Sequence, residues 1–230
     1  AFGRYWHVKT RIASEAMNET PQPLAPPRRL HPVRQAFYIV FIAFAAVFVY
    51  ALLIKGMMFF RVPSQSMEPT LTPGDFIVTM PQQDYQRGDI VVLKDPLHKD
   101  EYIVKRIAAV GGDKVETGLG YLAINGKYVS EPYLREPIAY VLDPITVPSG
   151  EVLVLGDNRN ESDDASRWLI DPETGKSIDA TDAYTDYVNG KRWKRTVPET
   201  EIVGKVAYRY LPFARIGGIT SYPLTNSAGD

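Results

Sequence analysis

A single uncharged apolar run at residues 36–54 places the strongest limit on how this chain can fold. As a helix the run would be roughly 28 Å long, close to the thickness of bilayer hydrocarbon. A cleaved export signal has a shorter apolar region and would not follow so long a hydrophilic leader. We therefore predict a transmembrane anchor at 36–54, preceded by a disordered tail at 1–35 whose prolines disfavour a helix.

Basic residues are concentrated on the N-terminal side of the apolar run. Six Arg and Lys precede it against two Glu, whereas Lys55 and Arg61 are the basic residues nearby on the other flank. The positive-inside rule then predicts a cytosolic N-terminus. Residues 55–230 would form a domain on the trans side, outside the cell or in an equivalent lumen.

Composition excludes several classes of function for this chain. The 26 basic and 27 acidic residues give a net charge of -1, which supplies no field that would attract nucleic acid. The chain has no cysteine, so disulfides, thiolate nucleophiles and cysteine-bound metals are excluded as well.

After the apolar run the pattern changes to short β-type segments separated by glycine and proline turns. Asn125-Gly126 is a hairpin signal, because both residues tolerate the positive φ that the turn requires. Residues 169–196 are polar and poor in strand signals, and we interpret them as an insertion on the rim. The fold class is therefore mostly β, with predicted strands at 76–80, 89–93, 102–110, 121–125, 151–155 and 202–210.

Two side chains stand out as candidates for chemistry. Ser66 lies between prolines a short distance after the predicted span, which suits a presented nucleophile but also an ordinary loop leaving the membrane. Lys105 lies in an alternating strand pattern with apolar neighbours, where burial would lower its pKa and let it act as a base. The alternative is that the Lys105 side chain reaches water along the strand edge.

Histidine is the usual base of a serine protease, but its placement in this chain is unfavourable. His7 and His31 precede the apolar run and are predicted on the opposite side of the membrane from Ser66. His98 follows the run but sits in a charged, proline-bounded stretch typical of a solvated loop. A Ser/Lys dyad is the simpler interpretation.

A third polar segment, 154–168, directly follows an apolar strand pattern. It could form a hydrogen-bonded network at the end of that strand, or merely a turn capped by Asp157 and Asn158. A calcium loop is a further alternative, although the central glycine of such loops is missing. Its ligands would be Asp157, Glu161, Asp163 and Asp164.

Four segments, in this order, resemble the motif boxes of the type I signal peptidases of bacteria and plastids. They are PSQSMEPTL at 63–71, GDIVVLKDP at 88–96, YIVKRIAAVGGD at 102–113 and VLGDNRNESDDASR at 154–167. The resemblance extends from the apolar run to about Gly217. It implies an antiparallel β-sheet catalytic domain of the signal-peptidase type that acts without a metal or cofactor.

The resemblance also implies a role for each side chain in these boxes. Ser66 would attack the scissile carbonyl and Lys105 would take its proton, giving an acyl-enzyme. The Ser64 hydroxyl and the Ser66 N–H would bind the oxyanion, and Ser162 would orient the lysine. The supporting residues would be Asp157, Asn158, Arg159 and Arg167.

The last box departs from the family pattern by one added residue. Either Asp163 or Asp164 could take the place of the supporting aspartate, and its contact with Arg167 is open as well. Of the two, we expect Asp164 to be the supporting residue.

The implied substrates are exported precursor proteins, with small residues at the first and third positions before the cut. The implied location is a bacterial plasma membrane or a thylakoid membrane. Apolar residues at 57–60 and Met67 could contact the lipid bilayer, although burial in the β core is the alternative for Met67. A non-enzymatic, membrane-anchored β module that binds envelope partners is the competing function.

Overall fold

The computed structural model describes residues 32–54, 56–177, 193–222 and 224. The chain divides into two compact units, Ala1–Phe48 and Val49–Asp230. Helix α1 covers Pro32–Ile54, and its stretch Pro32–Tyr50 is long and apolar enough to cross a membrane. The helix begins four residues before the predicted span, with a proline at its start, where a missing N–H costs nothing. A membrane crossing stays a prediction, and residues 1–31 of the predicted tail lie outside the described residues.

The larger of two antiparallel sheets contains eight strands in the order β1-β2-β11-β3-β4-β9-β10, with β12 paired to β11. Its two longest strands, β11 and β4, lie in the interior of this order, and β1 and β10 lie at its edges. The strands are β1 Met58–Arg61, β2 Phe76–Met80, β3 Ile90–Lys94, β4 Tyr102–Val110, β9 Glu151–Leu155, β10 Val197–Pro198, β11 Ile202–Leu211 and β12 Gly217–Gly218.

The smaller sheet contains four strands in the order β7-β6-β5-β8. The hairpin between β6 and β7 turns at Asn125 and Gly126, whose φ angles of 55° and 77° confirm the predicted turn. The strands are β5 Lys114–Gly118, β6 Tyr121–Ile124, β7 Lys127–Tyr128 and β8 Leu142–Thr146.

The mostly β class is confirmed, and each of the six predicted strands is present to within one residue at either end. The sequence patterns missed six strands of two to five residues. These include β5, β7 and β8 of the smaller sheet, and β1, β10 and β12 of the larger one. In the described part of the chain, three short 3-10 helices connect the strands: Arg159–Glu161, Glu199–Glu201 and Phe213–Arg215.

Strand β3 is buried on both faces, and its side chains divide between two apolar clusters. Val91 and Leu93 lie in a large cluster that also contains residues of the smaller sheet. Ile90 and Val92 lie in a second cluster together with Met67. Met67 is fully buried, so of the two alternatives for this residue the structure shows burial in the core and not contact with lipid.

Candidate active site

Ser66 lies in a loop, 62–75, that closes between strands β1 and β2. Hydrogen bonds from Val62 N to Asp75 O (2.8 Å) and from Gly74 N to Val62 O (2.9 Å) join its two ends. The apolar side chains of Val62, Met67 and Leu71 are buried in the second cluster, so the loop is packed onto the sheet. We refer to residues 62–75 as the Ser66 loop.

The Ser66 side chain is nearly buried, and the other serine of its box is its direct neighbour. Ser66 is 9% exposed, whereas Ser64 is exposed. Their Oγ atoms are 3.2 Å apart, so one hydroxyl donates to the other. The loop therefore presents two hydroxyl groups at one point, with one of them open to an incoming ligand.

Strand β4 carries Lys105 into the interior, where the side chain is 4% exposed. Its Nζ donates to Ser162 Oγ across 3.1 Å. Burial lowers the pKa of Lys105, because the ammonium form loses its hydration, and the Asp164 and Asp163 carboxylates oppose this only in part. The direct partner of the amine is thus a neutral hydroxyl, and burial shifts the amine toward its neutral form.

Gly156, directly after β9, brings the Ser66 loop and Ser162 together. A β-carbon added to Gly156 would overlap both Ser66 O and Ser162 Oγ, so these two atoms lie close to the same point. Asn158 N also donates to Ser66 O at 3.0 Å, and Asn158 Nδ2 donates to Gln65 O at 3.3 Å. The Ser66 carbonyl and the Ser162 side chain, which accepts from Lys105, therefore meet around this backbone.

Behind this meeting point lies a fully buried ion pair. Arg106 Nε and Nη2 donate to the two carboxylate oxygens of Asp157, each at 2.7 Å, and both side chains are 0% exposed. Arg106 Nη1 also donates to Gly88 O at 2.7 Å. Thr70 of the Ser66 loop donates its hydroxyl to Asp157 Oδ2 at 2.5 Å. Sequence reasoning included Asp157 but missed its partners Arg106 and Thr70.

Arg159 forms a second buried ion pair beside the first. Its Nη1 and Nη2 donate to Glu131 at 2.7 and 2.5 Å, and its Nε donates to Gly156 O at 3.0 Å. The ring of Tyr133 lies 3.9 Å from the Arg106 guanidinium carbon. The coulombic attraction of Glu131 raises the pKa of Arg159 despite its burial. Both arginines are therefore charges with bidentate partners.

Of the two neighbouring aspartates, Asp164 lies in the site and Asp163 is exposed. Asp164 accepts hydrogen bonds from Gly156 N at 2.7 Å and from Ser166 N at 2.9 Å. Arg167 is also exposed, and its Nη2 donates to Asn160 O at 2.6 Å. Since donors occupy both oxygens of Asp157 and of Asp164, these carboxylates do not form the calcium loop considered from the sequence.

His98 is exposed on the turn that precedes β4. Its Nδ1 is 3.2 Å from Asp95 Oδ2, and this carboxylate raises the pKa of His98. Among the described residues, Asp95, His98 and Glu101 have ligand atoms within 4.8 Å of one another, the spacing of a possible metal site. This cluster is largely solvated, and its Asp95 carboxylate opposes the lowering of the Lys105 pKa.

The described parts of the insertion, 169–177 and 193–196, pair with each other and contact the segment that follows Asp164. Ile170 forms β-bridges to Ser177 and Lys194. Arg195 Nη1 donates to the carbonyl oxygens of Ala165 and Ser166, at 3.0 and 2.9 Å. Residues 178–192 lie outside the described residues.

Comparison with known proteins gives relatives of one kind. Probable signal peptidase I-2 of Synechocystis is 32% identical over 168 residues, which are 69% of this chain and 65% of that protein. Probable thylakoidal processing peptidase 2, chloroplastic, of Arabidopsis thaliana is 32% identical over 169 residues, 69% of this chain and 39% of that protein. This chain thus spans less than two thirds of the length of either relative. The crystal structure of a signal peptidase I from Enterococcus faecalis is 24% identical, with a TM-score of 0.39, and the match covers 54% of this chain and 97% of that chain.

The family model described as "Signal peptidase, peptidase S26" matches residues 34–211. This range includes all but the first two residues of α1 and all of the side chains assembled around Ser66 and Lys105. The chain therefore belongs to the signal peptidase family, peptidase S26.

Proposed function

We propose that this protein is a membrane-bound serine endopeptidase that removes signal peptides from exported precursor proteins. Ser66 is its nucleophile and Lys105 is its general base. Family membership supports the class of reaction, and the names of the relatives, a signal peptidase and a thylakoidal processing peptidase, support the class of substrate. They also support a bacterial plasma membrane or a thylakoid membrane as its location.

The observation that carries this proposal is the environment of Lys105. A solvated lysine is an ammonium ion near neutral pH and cannot accept a proton. The Lys105 amine is 4% exposed and donates to the neutral Ser162 hydroxyl, and its burial lowers its pKa. A buried amine of this kind can be neutral when substrate arrives and can activate a hydroxyl next to it.

The reaction has two stages, formation of an ester on Ser66 and its hydrolysis, and Lys105 takes up and gives back a proton in each. Ser66 Oγ attacks the carbonyl carbon of the scissile bond while its proton passes to Lys105 Nζ. The Lys105 ammonium then protonates the leaving amine, so the mature protein departs and the signal peptide stays as an ester on Ser66. Water, deprotonated by the again neutral amine, attacks the ester, and the Lys105 ammonium returns that proton to Ser66 Oγ as the ester bond breaks. The signal peptide leaves as a carboxylic acid, which ionises in water.

The negative charge that develops on the carbonyl oxygen is bound by the Ser64 hydroxyl and the Ser66 N–H. Ser64 is exposed and its Oγ is 3.2 Å from Ser66 Oγ, so it can turn from that partner to the oxyanion. Ser162 orients the amine. Asp157, Asn158, Arg159 and Asp164 hold the loops that carry these groups, whereas Arg167 supports the same segment from its exposed side.

The substrate adds as an extended strand beside the Ser66 loop and β4, and small residues fit at the first and third positions before the cut. The N-terminus is cytosolic and residues 55–230 lie on the trans side of the membrane, in contact with the bilayer. Protease treatment of sealed vesicles tests this topology, because the catalytic domain should be digested only when the trans face is accessible.

The decisive experiment compares the wild type with Ser66→Ala and Lys105→Met in detergent, using a precursor with an Ala-X-Ala site. The wild type should cleave after that site, as mapped by sequencing the new N-terminus, and both variants should lose cleavage while remaining folded. If Ser66→Ala still cleaved the precursor, Ser66 would not be the nucleophile. If the wild type bound the precursor without cleaving it, the non-enzymatic binding module would be favoured.

A further inference from the structure

The Ser66 loop and the Lys105 strand are connected by a chain of hydrogen bonds that the reaction itself does not use. Thr70 Oγ1 donates to Asp157 Oδ2 at 2.5 Å, and Arg106 holds both oxygens of the same carboxylate at 2.7 Å. Thr70 lies four residues after Ser66, and Arg106 directly follows Lys105. The Asp157 carboxylate therefore connects the Ser66 loop, through Thr70, to the strand that carries Lys105, through Arg106.

The Asp157 end of this connection is rigid. Asp157 and Arg106 are both 0% exposed, and Arg106 is fixed further by Gly88 O and by the ring of Tyr133. A hydrogen bond to such a fixed carboxylate is charge-assisted and stronger than a neutral one. The Thr70 hydroxyl thus ties the Ser66 loop by a short hydrogen bond to the Asp157 carboxylate, whose position is fixed by its other partners.

We propose that Thr70 is a positioning residue, whose hydroxyl sets the distance between Ser66 and Lys105 by fastening the Ser66 loop to Asp157. This inference rests on the proposed function only for its effect on turnover. The fastening itself has a separate readout, because Asn158 N donates to Ser66 O at 3.0 Å and this bond reports how closely the two loops are held.

Thr72 of the same loop supplies a matched control. Its hydroxyl accepts from Arg215, whose partner Asp75 lies at the base of the loop rather than in the site. Thr70→Val and Thr72→Val each remove one hydroxyl from the Ser66 loop and keep nearly the same side-chain volume. Thr70→Ser retains the hydroxyl while removing a methyl group, so it separates hydrogen bonding from packing.

For turnover, kcat and KM are measured for the full chain in detergent with the Ala-X-Ala precursor. Thr70→Val should lower kcat by roughly 10- to 100-fold with KM changed by less than about 3-fold, because a loosened dyad affects the chemical step rather than binding. Thr70→Ser and Thr72→Val should stay within about 3-fold of the wild type. If Thr70→Val and Thr72→Val lost kcat equally, and the losses followed the fall in their melting temperatures, the role of Thr70 would be only structural. That result would overturn the proposal.

For the fastening itself, hydrogen exchange is followed at the Asn158 amide. Thr70→Val should speed exchange by about 10-fold, and Thr72→Val should leave it near the wild-type rate. Unchanged Asn158 exchange in Thr70→Val would refute the inference even if the enzyme assay succeeds, whereas an inactive wild type would instead refute the proposed function. Should Thr70→Val not fold, Thr70→Ala compared with Thr70→Ser gives the same contrast.

Discussion

Replacement of Gly156 by alanine should separate Ser66 from the Ser162–Lys105 pair. The new β-carbon would overlap Ser66 O and Ser162 Oγ and would lie 2.6 Å from Ser162 Cβ, where real β-carbons are not found under 3.0 Å. Gly156 has no positive φ, so the problem is one of space and not of backbone conformation. Neither neighbour can yield easily, since Ser66 O accepts from Asn158 N and Ser162 is fully buried.

The size of the effect follows from this geometry. To bring Ser162 Cβ from 2.6 Å to an ordinary contact of 3.4 Å, the two chain segments must separate by about 0.8 Å, and Ser66 must move as well. A misplacement of about 1 Å in a catalytic group costs about 10²-fold in rate, and the overpacking should lower the free energy of unfolding by about 1–3 kcal/mol.

Turnover of the Ala-X-Ala precursor and thermal unfolding, both in detergent, measure the two effects. Gly217→Ala is the matched control, because nothing lies within 4 Å of its added carbon and its φ is not positive. That variant should behave as the wild type in both assays. If Gly156→Ala keeps kcat within about 3-fold of the wild type, close contact at Gly156 does not set the geometry of the dyad.

Two further predictions concern the buried charges. Because burial lowers the pKa of Lys105, the unfolded chain binds more protons than the folded protein between that lowered value and the ordinary 10.5, so the free energy of unfolding rises with pH over this window. Lys105→Met should remove this slope and have a higher free energy of unfolding than the wild type near neutral pH. Urea titrations should show the difference between the two proteins narrowing toward pH 10.5, and a difference that stays constant with pH would contradict the lowered pKa. Asp157→Asn leaves Arg106 buried without its charge partner and should cost about 3–5 kcal/mol, whereas Glu116→Gln, which breaks an exposed pair with Lys114, should cost less than about 1 kcal/mol; equal costs would contradict the burial argument.

The long apolar strands could be predicted because their own side chains encode them. Strand β4, Tyr102–Val110, has enough apolar alternation for its bounds to follow from sequence. The smaller sheet lacks such a signal, since β5 reads KVETG and β8 reads LDPIT, with charged residues and a proline inside. These segments become strands because they pair with each other, and Val115 lies in the shared core with its partner Ile145 packed against it. Tertiary pairing therefore overrides weak local preference there.

The site was predictable where the resemblance assigns a role that joins two boxes, and not where it assigns none. The resemblance placed Lys105 and Ser162 in one site, and their side chains are in contact. The contact of Thr70 with Asp157 joins positions 87 residues apart, and nothing in either local pattern indicates it. A usable signal was present for Arg106, because a second cation inside an apolar strand must either reach water or find a buried partner.

Lys105 and Arg106 are adjacent in one strand, and both are buried, yet their surroundings give them opposite roles. Arg106 meets a carboxylate with matching geometry, so its charge is balanced and it serves as a fixed structural element. Lys105 meets the Ser162 hydroxyl, and the carboxylates that act on it, chiefly Asp164, offset its desolvation only in part. A lysine paired directly with a buried carboxylate would keep its charge and could not be the proposed base. In the proposed mechanism, reactivity therefore depends on the buried carboxylate belonging to Arg106, and the bond from Thr70 to that carboxylate would fix the Ser66 loop relative to it.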